Sequence, residues 1–207
     1  MNIFNRFCFL LLLMVSAPHA FAQSYQIGFS FRTFTDADRG RDIPVAVYYP
    51  SNTGGENSLV ANSLAGFPVI SFGHGFVIET EAYSWLWEEL VPEGYILIFP
   101  RTEGQLLPAP DHAAFGEDIA FCAEEIIRLG NLPSGPLSGK VYPRMAFMGH
   151  SMGGGAAYLA AQGNEDVATT VTFAAADTDP SSISAASDVA VPSLVIAALE
   201  DCVTPQP

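Results

Sequence analysis

The stretch Gly149-His150-Ser151-Met152-Gly153-Gly154-Gly155 decides the fold, because it joins two segments of different hydrophobic pattern. It follows the short apolar run Met145–Met148 and precedes an alanine-rich run, so we predict a strand, a tight turn and a helix. Gly149 and Gly153 have no side chains to clash around so sharp a bend. A serine lifted out of a sheet at such a turn is typical of a nucleophile, and Ser151 is the predicted nucleophile.

A second glycine-containing loop lies earlier in the chain, where hydrolases with such a serine turn place their oxyanion hole. The continuous apolar run 67–72 predicts a buried strand, and it leads directly into Gly73-His74-Gly75-Phe76. In that geometry the backbone N–H groups of Phe76 and Met152 point at the developing oxyanion. An ordinary turn after a strand is the alternative interpretation of the same loop.

The first 22 residues have the pattern of a secretory signal peptide. Arg6 precedes the apolar run 7–15, and Ala20-Phe21-Ala22 is a small-x-small cleavage site. A membrane anchor is the alternative, but the apolar run is too short to span a bilayer comfortably. We therefore predict a secreted protein, extracellular or periplasmic, with a catalytic domain at residues 23–207.

The composition indicates one globular domain. The chain has 207 residues, of which 49% are hydrophobic, enough for a sizeable core. Its 22 acidic and 8 basic residues give a formal net charge of −14, so nucleic acid is not an expected partner. No C-x-x-C or H-x-x-x-H spacing occurs, and we expect no metal. After export, Cys122 and Cys202 would meet an oxidising compartment, where pairing with each other or with another cysteine is open.

Predicted strands and helices alternate along the rest of the chain. This indicates an α/β fold with a mostly parallel central sheet and helices on both faces. Two alternating segments open it, with Pro44 and Pro50 marking the ends of the second, so an antiparallel start is expected. The predicted strands are 25–34, 43–49, 67–72, 95–99, 145–148, 168–174 and 193–198, the predicted helices are 82–90, 115–129 and 154–161, and 130–143 is a predicted loop.

Three stretches together resemble the α/β-hydrolase superfamily. They are Ile70–Phe76, Gly149–Gly155 and Val191–Ile196, the last followed by Glu200-Asp201-Cys202-Val203-Thr204-Pro205. Within the superfamily they are most similar to secreted bacterial cutinase-like polyester hydrolases and to dienelactone-hydrolase-like esterases. The resemblance extends from about the first strand to the last residue.

The resemblance also assigns roles to single residues. It implies Ser151 as nucleophile, Asp201 as triad acid, and Phe76 with Met152 as the oxyanion-hole residues. Phe76 would also pack on the substrate, as an aromatic residue does in polyester-binding relatives. Trp85, close to the proposed site in this fold, is a further candidate for substrate binding, with packing of its helix on the sheet as the alternative.

The triad acid can also be sought by position, since it must lie on a loop at the carboxyl edge of the sheet. Asp201 follows the last predicted strand and is preferred. Asp177 and Asp179 follow the preceding strand and stay open as alternatives, with Glu200 least favoured. A solvated loop carboxylate is the alternative explanation for each of them.

A convincing general base is absent from the sequence. In this fold the triad histidine follows the nucleophile and the acid, yet no histidine follows Ser151. His19 lies in the predicted leader, and His150 adjoins the nucleophile. His74 and His112 are expected to be structural. The resemblance implies a further helix, strand and histidine-bearing loop, so the sequence looks truncated after Pro207. Without a base this chain alone is expected to be nearly inactive.

For the complete protein we expect a hydrolase that cleaves carboxylic esters through an acyl-enzyme on Ser151, without a cofactor. Apolar and aromatic residues near the proposed site favour an acyl chain or an aromatic ester over a sugar or a phosphate. The expected substrate is a small-molecule or polymeric ester, with polyesters and lipid esters as the options. One alternative is a peptidase or lipase on the same fold. The other is a secreted binding module that has lost its base.

Overall fold

The computed structural model describes residues 24–201 and 203–204, and the predicted leader lies outside them. In the described part, eight strands form one sheet: β1 (Gln26–Asp36), β2 (Arg41–Ser51), β3 (Gly55–Glu56), β4 (Phe67–Gly73), β5 (Ile96–Pro100), β6 (Val141–His150), β7 (Val167–Phe173) and β8 (Ser193–Ile196). The helices are α1 (Ser84–Leu90), α2 (His112–Gly130), α3 (Met152–Ala161) and α4 (Ser182–Ala186), and a short 3₁₀ helix, Thr80–Tyr83, precedes α1. None of these helices is long and apolar enough to span a membrane.

The sheet is parallel over most of its width. Its strand order is β3-β1-β2-β5-β4-β6-β7-β8, and the five strands from β5 to β8 in that order are mutually parallel. The hairpin of β1 and β2 is antiparallel and joins the parallel part through β2 and β5. The predicted α/β architecture with an antiparallel start is confirmed.

Apolar side chains cover both faces of the central strands. Val69 and Phe147 belong to a buried cluster that also includes residues of α2 and α3. Their neighbours Ile70 and Met148 belong to a second cluster, which includes Leu86 of α1. Because successive residues of a strand point to opposite faces, the helices lie on both sides of the sheet.

Two prolines lie inside β2 rather than at its ends, so that detail of the prediction was wrong. The carbonyl of Pro44 accepts a hydrogen bond from Arg101 N–H at 2.8 Å, which turns the Pro44 nitrogen toward the β5 side. The ladder between β2 and β5 covers only residues 45–48, and both Pro44 and Pro50 lie beyond it. The missing N–H therefore costs no ladder hydrogen bond at either proline.

Several boundaries differ from the predicted ones because polar contacts set them. α2 begins at His112 since Asp111 accepts a hydrogen bond from a first-turn N–H at 3.0 Å. The short helix α4 was not predicted, and Ser181 caps it in the same way at 3.2 Å. β6 begins at Val141, inside the predicted loop 130–143, because it pairs there with the first residue of β4.

Cys122 lies on α2 and is fully buried in the core. Burial raises the pKa of its thiol well above the ordinary value, and the thiol forms no disulfide with a described residue. Cys202 lies outside the described residues, so its pairing stays open. Cys122 therefore packs as a small apolar group.

A buried carboxylate holds two loops against α2. Asp118 is fully buried and accepts hydrogen bonds from Arg41 Nε at 2.9 and 3.0 Å and from Thr102 Oγ1 at 2.6 Å. Arg39 Nη2 lies 2.8 Å from the same carboxylate, and Arg41 also pairs with Glu103 at 2.6 Å. The hydrogen bonds that Arg41 donates to Asp118 raise the pKa of the Arg41 guanidinium. The arginines lie at the turn between β1 and β2, and Thr102 follows β5, so one carboxylate fixes both segments.

We expect Asp118→Ala to lower the free energy of unfolding by about 3–5 kcal/mol, because two partly buried guanidinium groups lose the carboxylate that neutralises them. Urea denaturation followed by circular dichroism measures the loss. The matched control is Glu117→Ala, which removes a partner of Arg39 whose side chain is 60% exposed and is expected to cost less than about 1 kcal/mol. Equal losses in the two variants would contradict the central role of Asp118.

Candidate active site

Ser151 lies in the turn between β6 and α3 with φ 53° and ψ −120°. Residues other than glycine rarely adopt this backbone, so the predicted nucleophile is held under strain. The Ser151 N–H donates a hydrogen bond to Phe173 O at 2.9 Å, and its carbonyl accepts from Gly155 N–H at 3.1 Å and Ala176 N–H at 3.0 Å. β7, the segment after it and α3 therefore fix the serine at the carboxyl edge of the sheet.

Glycine is required around Ser151 because backbone segments touch there. A Cβ atom on Gly149 would overlap the carbonyl group of Gly153. A Cβ atom on Gly153 would overlap the carbonyl groups of Gly73 and His74. The first turn of α3 thus packs directly on the loop after β4, so the serine turn and the predicted oxyanion loop are in backbone contact.

Two backbone N–H groups at this edge are available to bind an anion. Met152 is the first residue of α3, where an N–H finds no acceptor inside the helix. Phe76 lies in the loop after β4. Among residues 24–201 and 203–204, neither N–H donates a hydrogen bond. Donors of this kind stabilise negative charge on a reacting carbonyl oxygen when they converge on it.

Three histidines lie in the described part, and none of them hydrogen-bonds to Ser151 there. His74 is buried, and its Nδ1 and Nε2 lie 2.9 Å from the carbonyl oxygens of Gly75 and Thr102. His112 Nδ1 accepts a hydrogen bond from Asp179 N–H at 3.2 Å. The third, His150, contacts a tyrosine.

Tyr83 connects the two loops of the site. Its hydroxyl accepts a hydrogen bond from Gly75 N–H at 2.8 Å and lies 3.0 Å from His150 Nδ1. Burial raises the pKa of Tyr83, so the phenol keeps its proton, and the tautomer of the His150 ring decides whether the hydroxyl or Nδ1 is the donor of this bond. Burial lowers the pKa of His150, although the charge of Asp201 opposes this, so the neutral form of the ring is favoured. Sequence reasoning missed Tyr83, because nothing around it signals a partner 67 residues away.

Asp201 follows β8, and its carboxylate is held by its own turn. Oδ1 accepts hydrogen bonds from the N–H groups of Val203 and Thr204, each at 2.9 Å, and Oδ2 accepts from Thr204 Oγ1 at 2.7 Å. These bonds, led by those from Thr204, lower the pKa of Asp201, so the group is ionised at neutral pH. Its charge also acts on His150, which precedes Ser151, so it lies in the neighbourhood of the site.

Asp177, the next candidate acid, supports the start of α4 instead. Its Oδ1 accepts hydrogen bonds from Ser181 Oγ at 2.9 Å, from Ser182 Oγ at 3.3 Å and from Ile183 N–H at 3.3 Å. These contacts, with that from Ser181 the largest, lower the pKa of Asp177.

Among the described residues, no group of three His, Cys, Asp or Glu side chains is arranged to hold a metal.

Two exposed aromatic side chains lie on segments near the serine turn, Phe76 in the loop after β4 and Trp85 on α1. Phe76 is 44% exposed and Trp85 is 47% exposed. The Trp85 ring meets the ring of Phe173 edge to face, with centroids 5.4 Å apart. The carbonyl of Phe173 also accepts a hydrogen bond from the Ser151 N–H, so Phe173 connects Trp85 with the nucleophile turn. This surface suits an apolar or aromatic ligand.

Comparison with known protein families agrees with this geometry. A family described as PETase, PET hydrolase-like, matches residues 40–207, which is most of the chain. No curated protein matches the sequence. The resemblance to cutinase-like polyester hydrolases is thereby confirmed, and with it the α/β-hydrolase fold. The chain belongs to the PET hydrolase-like family, which makes it an ester-cleaving hydrolase of the α/β-hydrolase superfamily.

Proposed function

We propose that the protein is a secreted serine esterase that cleaves carboxylic esters through an acyl-enzyme on Ser151. The observation that carries this proposal is the strained serine turn at φ 53°, packed against the loop that bears Phe76. Ser151 Oγ attacks the ester carbonyl, and the N–H groups of Phe76 and Met152 stabilise the oxyanion. The ester C–O bond breaks and the alcohol leaves with the proton that Ser151 gives up; water then attacks the acyl-serine, which releases the acid and restores the Ser151 hydroxyl. This chemistry needs no cofactor.

Asp201 is proposed as the triad acid. It follows a strand at the carboxyl edge of the sheet, it is ionised, and its charge reaches the residue before Ser151. Asp177 is less suited, because its Oδ1 accepts three hydrogen bonds from the start of α4, whereas the charge of Asp201 acts on His150 beside the nucleophile. No base is assigned among His74, His112 and His150, since none of them bonds to Ser151 in the described part.

Polyesters are the proposed substrate class. The family match supports a polymeric ester, and the exposed rings of Phe76 and Trp85 offer an aromatic surface beside the nucleophile. A polymer chain at an interface is bound by flat apolar contact rather than by an enclosed pocket. Secretion, proposed from the pattern of residues 1–22, fits a substrate too large to enter a cell.

Replacement of the nucleophile tests the mechanism. In the full-length protein we expect Ser151→Ala to lower hydrolysis of p-nitrophenyl butyrate by at least about a thousandfold, because the acyl-enzyme cannot form. The matched control is Ser134→Ala on the exposed loop before β6, expected to keep full activity. A fluorophosphonate probe should label the wild-type protein and not Ser151→Ala. Absence of both hydrolysis and labelling in the wild type would favour the binding-module alternative instead.

A pair of carboxylate variants tests the acid. Asp201→Asn is expected to lower kcat by up to about ten-thousandfold, because an amide no longer stabilises a cationic base. Asp177→Asn should keep kcat within about threefold and lower the melting temperature, since its carboxylate caps α4. Steady-state kinetics and thermal melts of both proteins measure these effects. The opposite ranking of kcat would make Asp177 the acid.

Trp85→Ala tests the substrate class. We expect it to lower the release of soluble monomers from a polyester film by at least about fivefold while changing p-nitrophenyl butyrate hydrolysis less, because only the polymer needs the extended aromatic surface. Tyr142→Ala is the matched control, since Tyr142 is 42% exposed but lies near the amino end of β6. Equal losses on film and soluble ester would remove the support for polymer binding at Trp85.

A further inference from the structure

The peptide that joins Gly75 to Phe76 carries the proposed oxyanion donor. Its N–H is that of Phe76, and its carbonyl is that of Gly75. The bond is trans, because the cis peptides of the described chain lie at Leu107-Pro108 and Asp179-Pro180. In a trans peptide the N–H and C=O point in opposite directions within one plane. Any group that fixes the Gly75 carbonyl therefore aims the Phe76 N–H.

His74 is the side chain that contacts this carbonyl. Its Nδ1 lies 2.9 Å from Gly75 O, and the backbone N–H of Ile78 also donates to that oxygen at 3.1 Å. The ring is 3% exposed and packs on Phe115 with centroids 4.8 Å apart, so it has little freedom to turn. A carbonyl oxygen only accepts, so a hydrogen bond to Gly75 O requires the hydrogen on Nδ1; a neutral ring carries one such hydrogen and donates either to Gly75 O or to Thr102 O.

The other ring nitrogen of His74 contacts a residue that is itself held by a buried carboxylate. Nε2 lies 2.9 Å from Thr102 O, and the hydroxyl of Thr102 donates to the buried carboxylate of Asp118 at 2.6 Å. The preceding peptide is held independently, because Gly75 N–H donates to the Tyr83 hydroxyl at 2.8 Å. Both polar groups of Gly75 are thus fixed by buried rings.

We propose that His74 is a positioning residue for the oxyanion hole: its Nδ1–H fixes the plane of the Gly75–Phe76 peptide and so aims the Phe76 N–H at the oxyanion. This inference rests on the proposed function of Ser151. A preorganised donor contributes far more than one that must reorient during the reaction. The role requires a hydrogen on Nδ1 in a neutral ring, and a doubly protonated ring fulfils it as well.

Two amide replacements separate the ring's two contacts. The amide nitrogen of asparagine occupies about the position of Nδ1, and that of glutamine about the position of Nε2. His74→Asn should keep kcat for p-nitrophenyl butyrate within about threefold of wild type, whereas His74→Gln and His74→Ala should lower it by at least about tenfold. KM should change by less than about threefold in all three, since the donor acts mainly in the transition state.

A stability control removes the trivial explanation that any damage to the core lowers activity. Ile126→Val changes a buried core residue in the second half of α2, and it is expected to cost about 0.5–1.5 kcal/mol without changing kcat. Thermal melts of all variants accompany the kinetics. If glutamine preserved kcat as well as asparagine, or if alanine lowered only the melting temperature, His74 would have a structural role alone and the proposal would be overturned.

A second measurement does not depend on activity. The ¹⁵N chemical shifts of the His74 ring, recorded on Ser151→Ala as well as wild type, distinguish a protonated Nδ1 from a bare one. A protonated Nδ1 is the expected result, and a bare Nδ1 would overturn the proposal even if the variants failed to fold. A wild-type protein that hydrolyses no ester would overturn the proposed function, while this measurement still decides the position of the hydrogen.

Discussion

The close approach of two backbone segments at the carboxyl edge of the sheet is the constraint on which the site depends. Gly73 at the end of β4 and Gly153 in the first turn of α3 leave no room for a Cβ atom on either residue. This contact sets the separation between the loop with Phe76 and the helix that begins at Met152. Two backbone donors can converge on one oxygen only if their separation is fixed in this way.

Stability and site geometry share a second layer of contacts. The hydroxyl of Thr102 binds the buried carboxylate of Asp118, and its carbonyl lies against the His74 ring. The ion pairs of Arg39 and Arg41 hold that carboxylate in place. A buried ionic network is weak evidence for stability by itself, since desolvation opposes the attraction. Here it also holds Thr102, whose carbonyl contacts His74 in the proposed oxyanion loop.

Local patterns predicted the sheet well, for an identifiable reason. β4 and β5 are covered on both faces, so their residues form the continuous apolar runs that were recognised as buried strands. The pattern failed where polar contacts set the structure. The helix α4 is short and capped by Ser181, and Pro44 is tolerated inside β2 because its nitrogen faces the β5 side beyond the end of the ladder between the two strands. Neither fact is visible in a hydrophobic pattern.

The sequence by itself determined the serine turn, because the requirement is local. A serine between Gly149 and Gly153, after an apolar strand and before a helix, has few other solutions. Only the tertiary structure decided what surrounds it. Tyr83 meets His150, and His74 meets Thr102, across separations of 67 and 28 residues. Such pairs form because parallel strands bring distant loops to one edge of the sheet, and no spacing along the chain encodes which side chains then touch.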